Sequence, residues 1–237
     1  QAEDGIRDRS PSRGLGDVYK RQVTSVVHVV RHGQVHNPEG VLYGRLPGYG
    51  LSELGRRMAD RLGEYFEAAN LVHLVSSPLQ RAQETMAPIA AGHPHLVVTI
   101  DERVIEAANV FEGKSFGKNN EILLKPSSWW ALRNPLRPTW GEAYTSIAAR
   151  MQAAISEAAS HAPEAEALIV AHELPIWMAR RSAENRTLVH DPRHREARLA
   201  SVTTFRFQDG RLVGVEYSEP AGDLVPVKTS KKFRPGA

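Results

Sequence analysis

The sequence predicts an α/β protein in which helices cover both faces of a mostly parallel central sheet, a three-layer α/β/α arrangement. Short apolar runs typical of buried strands alternate with segments of helical period, which is the pattern of a parallel sheet. Asp209-Gly210, between residues 202–207 and 212–217, signals a tight hairpin and therefore an antiparallel pair at the sheet edge. The four buried strands are predicted at residues 26–30, 71–75, 96–100 and 167–171.

Composition places the chain among ordinary globular proteins and argues against several function classes. Its 237 residues suffice for one α/β domain, and 41% hydrophobic with 24% charged residues are average values. Cysteine is absent, which excludes disulfides and thiolate zinc sites and fits the cytoplasmic location that we expect. A net charge of +3 is too small to indicate nucleic acid. No apolar run reaches the roughly 18 residues of a membrane span, so we expect no membrane partner either.

The chain divides into a leader, one domain and a tail. Residues 1–22 are polar and aperiodic and resemble translated sequencing-adaptor sequence, so we expect a non-native, disordered leader. Residues 23–217 form the predicted domain, in which 102–140 is an irregular insert rich in Pro and Trp, of a length typical of lids and binding segments. The basic residues 218–237 are expected to form a flexible tail.

The first strand ends abruptly in Arg31-His32-Gly33. In open α/β sheets, ligands bind at the carboxyl ends of the strands, so this guanidinium and imidazole are candidate ligand contacts. A Gly-rich stretch follows, and then a helix for which Ser52 is the predicted N-cap. The apolar face of that helix carries Leu54, Met58, Leu62 and Phe66.

The second strand runs directly into a predicted helix N-terminus. Ser77 and Gln80 have the spacing of a capping box, and Pro78 suits the first helical position. Arg81 then lies in the first turn, where a cation opposes the helix dipole unless an anion is bound nearby. We interpret this local conflict as the sign of a functional site; the alternative is an arginine that reaches into solvent.

The fourth strand ends in His172, so three strand ends carry Arg31-His32, Arg81 and His172. If these strands are parallel neighbours, two imidazoles and two guanidiniums meet in one crevice. Such a cationic pocket suits a dianion, and arginine matches phosphate oxygens with parallel hydrogen bonds. We expect no metal, because the arginines oppose a divalent cation and the spacing of a metal cage is missing.

These motifs, in this order, resemble those of the histidine phosphatase superfamily, the phosphoglycerate mutase-like fold, in its bacterial phosphatase branch. They are Arg31-His32-Gly33, the stretch from Ser76 to Thr85, and Val170-Ala171-His172. The resemblance spans roughly residues 26–217. It implies that His32 is a nucleophile that forms a phosphohistidine, and that Arg31, Arg81 and His172 clamp the phosphoryl oxygens.

The resemblance also implies a carboxyl acid and base after the third strand. Glu106 matches that position best and would protonate the leaving alkoxide and then activate water; Glu102 and Glu112 are the alternatives. Asn37 stands one residue short of the family's polar phosphate contact.

Further substrate contacts are assigned more loosely. Tyr43 and Arg45 lie in the region of substrate contacts, although Arg45 can equally be a solvated side chain. Glu142 resembles part of a Gly-Glu-Ser segment in which Ala143 replaces the serine, and we interpret it as a helix-start charge.

Departures from the family pattern favour a phosphatase over a mutase. Val35 replaces a usual Thr or Ser, and the Trp-Asn pair of a glycolytic mutase is missing. We therefore predict a phosphomonoester hydrolase that acts on a small phosphorylated metabolite. A phosphoglycerate mutase-type phosphotransferase and a non-catalytic phospholigand-binding module are the alternatives. No cofactor is expected, and the protein is predicted to be a monomer or homodimer.

Overall fold

A computed structural model describes residues 23–114 and 141–225, and its centre is a six-stranded sheet. The strands are β1 (Thr24–Arg31), β2 (Leu71–Ser76), β3 (Val98–Ile100), β4 (Glu166–Ala171), β5 (Val202–Gln208) and β6 (Arg211–Ser218). They lie in the order β3-β2-β4-β1-β5-β6. The first four are parallel, whereas β5 and β6 pair antiparallel. The predicted mostly parallel sheet with an antiparallel edge hairpin is confirmed.

Helices cover both faces of this sheet, which confirms the three-layer prediction. They are α1 (Glu53–Phe66), α2 (Gln80–Gly92), α3 (Tyr144–Ser160) and α4 (Glu173–Ala183). Successive strand residues point to opposite faces, so the central strand β4 must be apolar throughout. Leu168 and Val170 pack with α1 and α2, whereas Ala167, Ile169 and Ala171 pack with α3 and α4. In the described part of the chain, none of the helices is both long and apolar enough to cross a bilayer.

Two local predictions hold in detail. The Ser52 hydroxyl accepts a hydrogen bond from the Gly55 amide at 3.0 Å, so Ser52 caps α1 as expected. Asp209 and Gly210 both have positive φ, 49° and 73°, which is the geometry of the tight hairpin turn that joins β5 and β6.

Several boundaries differ from those predicted. Helix α2 begins at Gln80 rather than Pro78, and α3 begins at Tyr144 rather than Gly141. The predicted tail begins too early, because Ser218 still belongs to β6 and a 3₁₀ turn follows at Gly222–Leu224, with Ala221 fully buried just before it. The predicted leader, residues 115–140 of the predicted insert, and the rest of the tail lie outside the described residues.

Candidate active site

The strand register brings the three predicted strand ends to one edge of the sheet. Arg31 pairs with Ala171, so β1 and β4 end side by side. The residues just after β1 and β2 are still hydrogen-bonded to β4. The His32 amide donates to the Ala171 carbonyl at 3.2 Å, and the Ser77 amide donates to the Val170 carbonyl at 3.0 Å. The rings of His32 and His172 consequently lie with their centroids 5.1 Å apart.

His32 is held in the tautomer that a nucleophile requires. Its Nδ1 lies 2.8 Å from the Gly33 carbonyl oxygen. Because a carbonyl can only accept, Nδ1 carries the proton and Nε2 keeps its lone pair. Arg81 Nε donates to that Nε2 at 3.3 Å. Burial lowers the pKa of His32 well below 6.5, and the charges of Arg81 and Arg31 lower it further, so the ring is neutral at pH 7.

His172 faces His32 and is positioned by a serine that was assigned a different role. Its Nε2 lies 2.7 Å from the Ser77 hydroxyl. The predicted capping box at Ser77 is therefore wrong: Leu79 is the N-cap of α2, without a side-chain cap. Nδ1 of His172 is buried and has no hydrogen-bond partner among the described residues. Burial first, and then the charge of Arg81, lower the pKa of His172 well below 6.5.

Two nitrogens of the Arg31 guanidinium have partners in the protein, and the third has none among the described residues. Its Nη1 donates to the Ala197 carbonyl at 2.7 Å, and its Nη2 pairs with a Glu173 carboxylate oxygen at 2.9 Å. Within the described ranges, Nε of this buried guanidinium has no partner. Glu173 also contacts Arg195 at 3.5 Å. Sequence reasoning missed Glu173, although an acidic residue directly after a strand-end histidine was visible.

Arg81 is 1% exposed and closes the pocket from the side of α2. Its Nη2 donates to the Gly44 carbonyl at 2.7 Å, and its guanidinium lies 4.7 Å from the centre of the Tyr43 ring. Tyr43 is itself buried, so the structure brings this predicted substrate contact beside Arg81. Gly44 has a φ of +39°, and a Cβ there would come within 2.4 Å of the Glu112 side chain. A larger residue at this point of the loop would be strained by this φ and would have to displace the Glu112 side chain.

The loop after β1 is held by close backbone packing. The Gly33 amide donates to the Thr85 hydroxyl at 3.0 Å, and that hydroxyl donates to the Arg81 carbonyl at 2.7 Å. A Cβ on Gly33 would lie 2.6 Å from the carbonyl oxygen of Gly55 in α1. Glycine in Arg31-His32-Gly33 is thus required for a close approach rather than for an unusual φ. Thr85 is a further positioning residue to which the sequence analysis gave no role.

Glu106 follows the 3₁₀ turn Glu102–Val104 and interacts electrostatically with the arginines of the pocket. One carboxylate oxygen accepts from the Ala107 amide at 2.8 Å. Burial raises the pKa of Glu106, and Glu173 raises it further, whereas Arg81 and Arg31 lower it. A partly buried carboxyl with a raised pKa beside these cations is suited to proton donation.

The two alternative carboxylates are placed differently. Glu102 is exposed on the 3₁₀ turn. Glu112 accepts a hydrogen bond from the Asn109 amide at 3.1 Å, which ties its carboxylate to the backbone. Glu106 is therefore the carboxyl that the structure places best for acid–base chemistry.

Two predicted substrate contacts are engaged elsewhere. The side-chain amide of Asn37 bonds with both the carbonyl and the amide of Val41, at 2.8 and 3.1 Å, and so holds its own loop. Arg45 donates to the Glu106 carbonyl at 2.6 Å and pairs with Glu142 at 3.2 Å. Arg45 thus supports the segment of the acid, beside an open cavity of about 640 Å³ that it lines together with Glu142.

No metal-binding cluster of three or more His, Asp or Glu side chains occurs in residues 23–114 and 141–225. The groups that converge at the pocket are two neutral imidazoles and two guanidiniums, which suit an oxyanion. A mechanism without metal or cofactor stays a prediction.

A family comparison agrees with this geometry. Residues 27–220 match the model of the histidine phosphatase superfamily, branch 1. The chain is also 49% identical over 195 residues to an uncharacterized protein of Mycobacterium tuberculosis, Rv0525. The aligned region covers 82% of this chain and 96% of that protein.

Solved structures share the fold. YhfR of Bacillus stearothermophilus superposes with a TM-score of 0.66 at 26% identity, over 80% of this chain and 94% of that one. The mycobacterial glucosyl-3-phosphoglycerate phosphatase Rv2419c superposes with a TM-score of 0.67 at 24% identity, over 83% and 98% of the two chains. At that identity, the second likeness concerns the fold alone.

Proposed function

The chain belongs to branch 1 of the histidine phosphatase superfamily, and from this premise we propose that it hydrolyses phosphomonoesters through a phosphohistidine at His32. The observation that carries the proposal is the state of the His32 ring. Nδ1 is tied to the Gly33 carbonyl, which leaves the lone pair of Nε2 directed at the Arg81 guanidinium. A neutral imidazole beside a buried cation is a nucleophile placed where a phosphoryl group would be held.

The reaction proceeds in two displacements. In the first, His32 Nε2 attacks phosphorus, the bond from phosphorus to the ester oxygen breaks, and Glu106 donates its proton to the leaving oxygen. Arg31, Arg81 and His172 hold the equatorial oxygens. In the second, Glu106 takes a proton from water as that water attacks phosphorus, and the phosphorus–nitrogen bond breaks to release inorganic phosphate.

The ion pairs around the pocket favour a hydrolase over a mutase. Arg45 contacts the Glu106 carbonyl and Arg195 contacts Glu173, and both of these arginines are paired with carboxylates. A phosphoglycerate substrate carries a carboxylate besides its phosphate and needs a further cation while it is turned over. A substrate whose remainder is small and neutral fits this charge pattern better.

The test is a panel of small phosphate esters with phosphate release as the readout. The wild-type protein should release phosphate and, when quenched, carry an acid-labile phosphoryl group on His32. His32→Ala should lower turnover by roughly 10⁶-fold, to the assay background, as for other catalytic nucleophiles. His36→Ala, which removes an exposed histidine four positions along the chain, is the control and should retain activity.

Two results would overturn the proposal. One is undiminished turnover by His32→Ala. The other is interconversion of 3- and 2-phosphoglycerate, with or without added bisphosphoglycerate, at a rate above that of phosphate release.

A further inference from the structure

Two arginines and one carboxylate form a compact network beneath the segment that carries Glu106. Glu142 accepts from Arg150 Nε at 2.8 Å and Nη2 at 3.1 Å, which is a two-point pairing, and from Arg45 Nη2 at 3.2 Å. The Glu142 side chain is only 19% exposed and that of Arg150 only 16%. Bidentate pairs that are shielded in this way fix direction as well as charge.

The remaining N–H groups of both arginines hold the backbone that leads into the proposed acid. Arg150 Nη1 donates to the carbonyls of Arg103 and Ile105, at 2.5 and 2.7 Å. Arg45 Nε donates to the carbonyl of Glu106 itself, at 2.6 Å. Of the four consecutive carbonyls from residue 103 to residue 106, three therefore accept hydrogen bonds from the two guanidiniums that pair with Glu142.

Glu142 is needed because the two guanidiniums repel each other. Without a carboxylate between them, two like charges would face one another in a partly buried place, and each would move toward solvent. A guanidinium is a rigid plane, so a tilt at its Glu142 edge also displaces the N–H groups that hold the carbonyls. The position of the Glu106 carboxyl therefore depends on a residue 36 positions away in the chain.

The backbone beside Glu142 is fastened to the same segment. Gly141 forms a bridge with Asn109, and the Glu142 amide donates to the Ala108 carbonyl at 3.2 Å. A Cβ on Gly141 would lie 2.4 Å from that carbonyl oxygen, so only glycine permits this approach. The interpretation of Glu142 as a helix-start charge is therefore wrong, because α3 begins at Tyr144 and the carboxylate is directed to Arg150 and Arg45.

From these contacts we infer that Glu142 is a positioning residue for the general acid: through Arg45 and Arg150 it holds the Glu106 carboxyl where it can protonate the leaving oxygen. The inference rests on the proposed function. It predicts a selective defect, because an acid matters in proportion to the basicity of the oxygen that departs. An alkoxide needs the proton, whereas p-nitrophenolate leaves without one.

The experiment compares kcat/KM for glycerol phosphate and p-nitrophenyl phosphate in Glu142→Gln. This constant covers only the steps through departure of the alcohol, so the later activation of water does not enter. Misplacing a catalytic group can cost up to about 10²-fold. We expect a loss of about 10-fold or more with glycerol phosphate and less than about 3-fold with the aryl ester. Glu106→Gln should show the same selectivity with a larger loss, roughly 10²- to 10⁴-fold.

A double variant separates positioning from a general structural defect. If Glu142 acts through Glu106, adding Glu142→Gln to Glu106→Gln should change kcat/KM for glycerol phosphate by less than about 2-fold. Glu142→Asp, which keeps the charge, should recover part of the loss. Glu216→Gln is the matched control, because Glu216 makes a similar two-point pair with Arg206 on the exposed edge strand, at 2.8 and 3.0 Å.

The outcomes distinguish this inference from the proposed function. An equal loss with both esters in Glu142→Gln, or no loss, overturns the positioning role while an active wild type and a selective Glu106→Gln leave the hydrolase intact. An inactive wild type, or an active His32→Ala, overturns the hydrolase itself. If Glu142→Gln does not fold, Arg45→Lys removes the contact to the Glu106 carbonyl and is held to the same comparison.

Discussion

Strand β1 carries two largely buried histidines in opposite surroundings, one in mid-strand and one just past its end. His28 lies between a carboxylate and a hydroxyl: its Nε2 is 2.8 Å from Glu166 and its Nδ1 is 3.0 Å from Thr204. His32 has two arginines as charged neighbours instead. Burial lowers the pKa of both rings, but the Glu166 carboxylate partly offsets it for His28, whereas Arg81 and Arg31 add to it for His32.

We propose that this difference separates a structural histidine from a reactive one. Both ring nitrogens of His28 already have hydrogen-bond partners in the protein. If the ring were protonated, the Glu166 carboxylate would balance its charge. The neutral ring of His32, in contrast, keeps a lone pair on Nε2. The positive charge of the arginines beside that nitrogen is not balanced there by an anion of the protein. Such a ring is arranged for an anionic ligand that arrives later.

The largest test exchanges the arginine beside each histidine for lysine. Arg81→Lys removes the planar fork next to His32, and removing one preorganised donor costs roughly 10²- to 10³-fold in kcat. Arg206→Lys, whose side chain acts electrostatically on His28, should leave kcat unchanged. Steady-state turnover of a phosphate ester checks both variants. If the two substitutions changed kcat equally, the difference between the surroundings of His32 and His28 would have no bearing on activity.

The next test is the pH dependence of stability. In the folded protein the pKa values of His32 and His172 lie well below 6.5, so below about pH 6.5 the unfolded chain binds more protons than the folded one. The free energy of unfolding should therefore fall as the pH falls, by about 1 kcal/mol for each ring between pH 6.5 and 5.5.

Urea unfolding at those two pH values measures this change. His32→Asn should reduce the slope, and His28→Leu should reduce it less, because Glu166 offsets part of the lowering at His28. A slope that His32→Asn leaves untouched would contradict the assignment of a neutral ring at that position.

The smallest effect is expected from His28 itself. His28→Leu removes two hydrogen bonds within the sheet and should lower the free energy of unfolding by about 1 kcal/mol, with kcat unchanged. Thermal unfolding together with turnover checks this. A loss of turnover without a loss of stability would show that the middle of β1 serves the reaction.

The sequence predicted the groups that sit at strand ends. Arg31, His32 and His172 stand at the ends of apolar runs, and Arg81 lies in the first turn of the helix that follows one. A parallel sheet brings such positions together. Strand composition and the order of motifs were sufficient for that part of the site and for the sheet itself.

The partners of those groups could not be predicted in the same way. Ser77 fits a capping box equally well, and only the approach of His172 decides which hydrogen bond forms. Asn37 and Arg45 are bound by backbone carbonyls, which have no signature in the sequence. Glu142, which precedes α3, pairs with Arg150 inside that helix, but the proposed role of this pair depends on the distant carbonyls that it holds, and no periodicity in the sequence indicates them.

The contacts of Arg81 have a consequence for how a reaction cycle would end. This guanidinium donates to His32 Nε2 and to the Gly44 carbonyl. A dianion that takes over these two donors breaks both internal bonds, and the same two bonds form again when inorganic phosphate departs. Their recovery offsets part of the cost of separating a dianion from buried cations. We therefore expect inorganic phosphate to be a weak product inhibitor, because the internal hydrogen bonds of Arg81 replace those that the phosphate made.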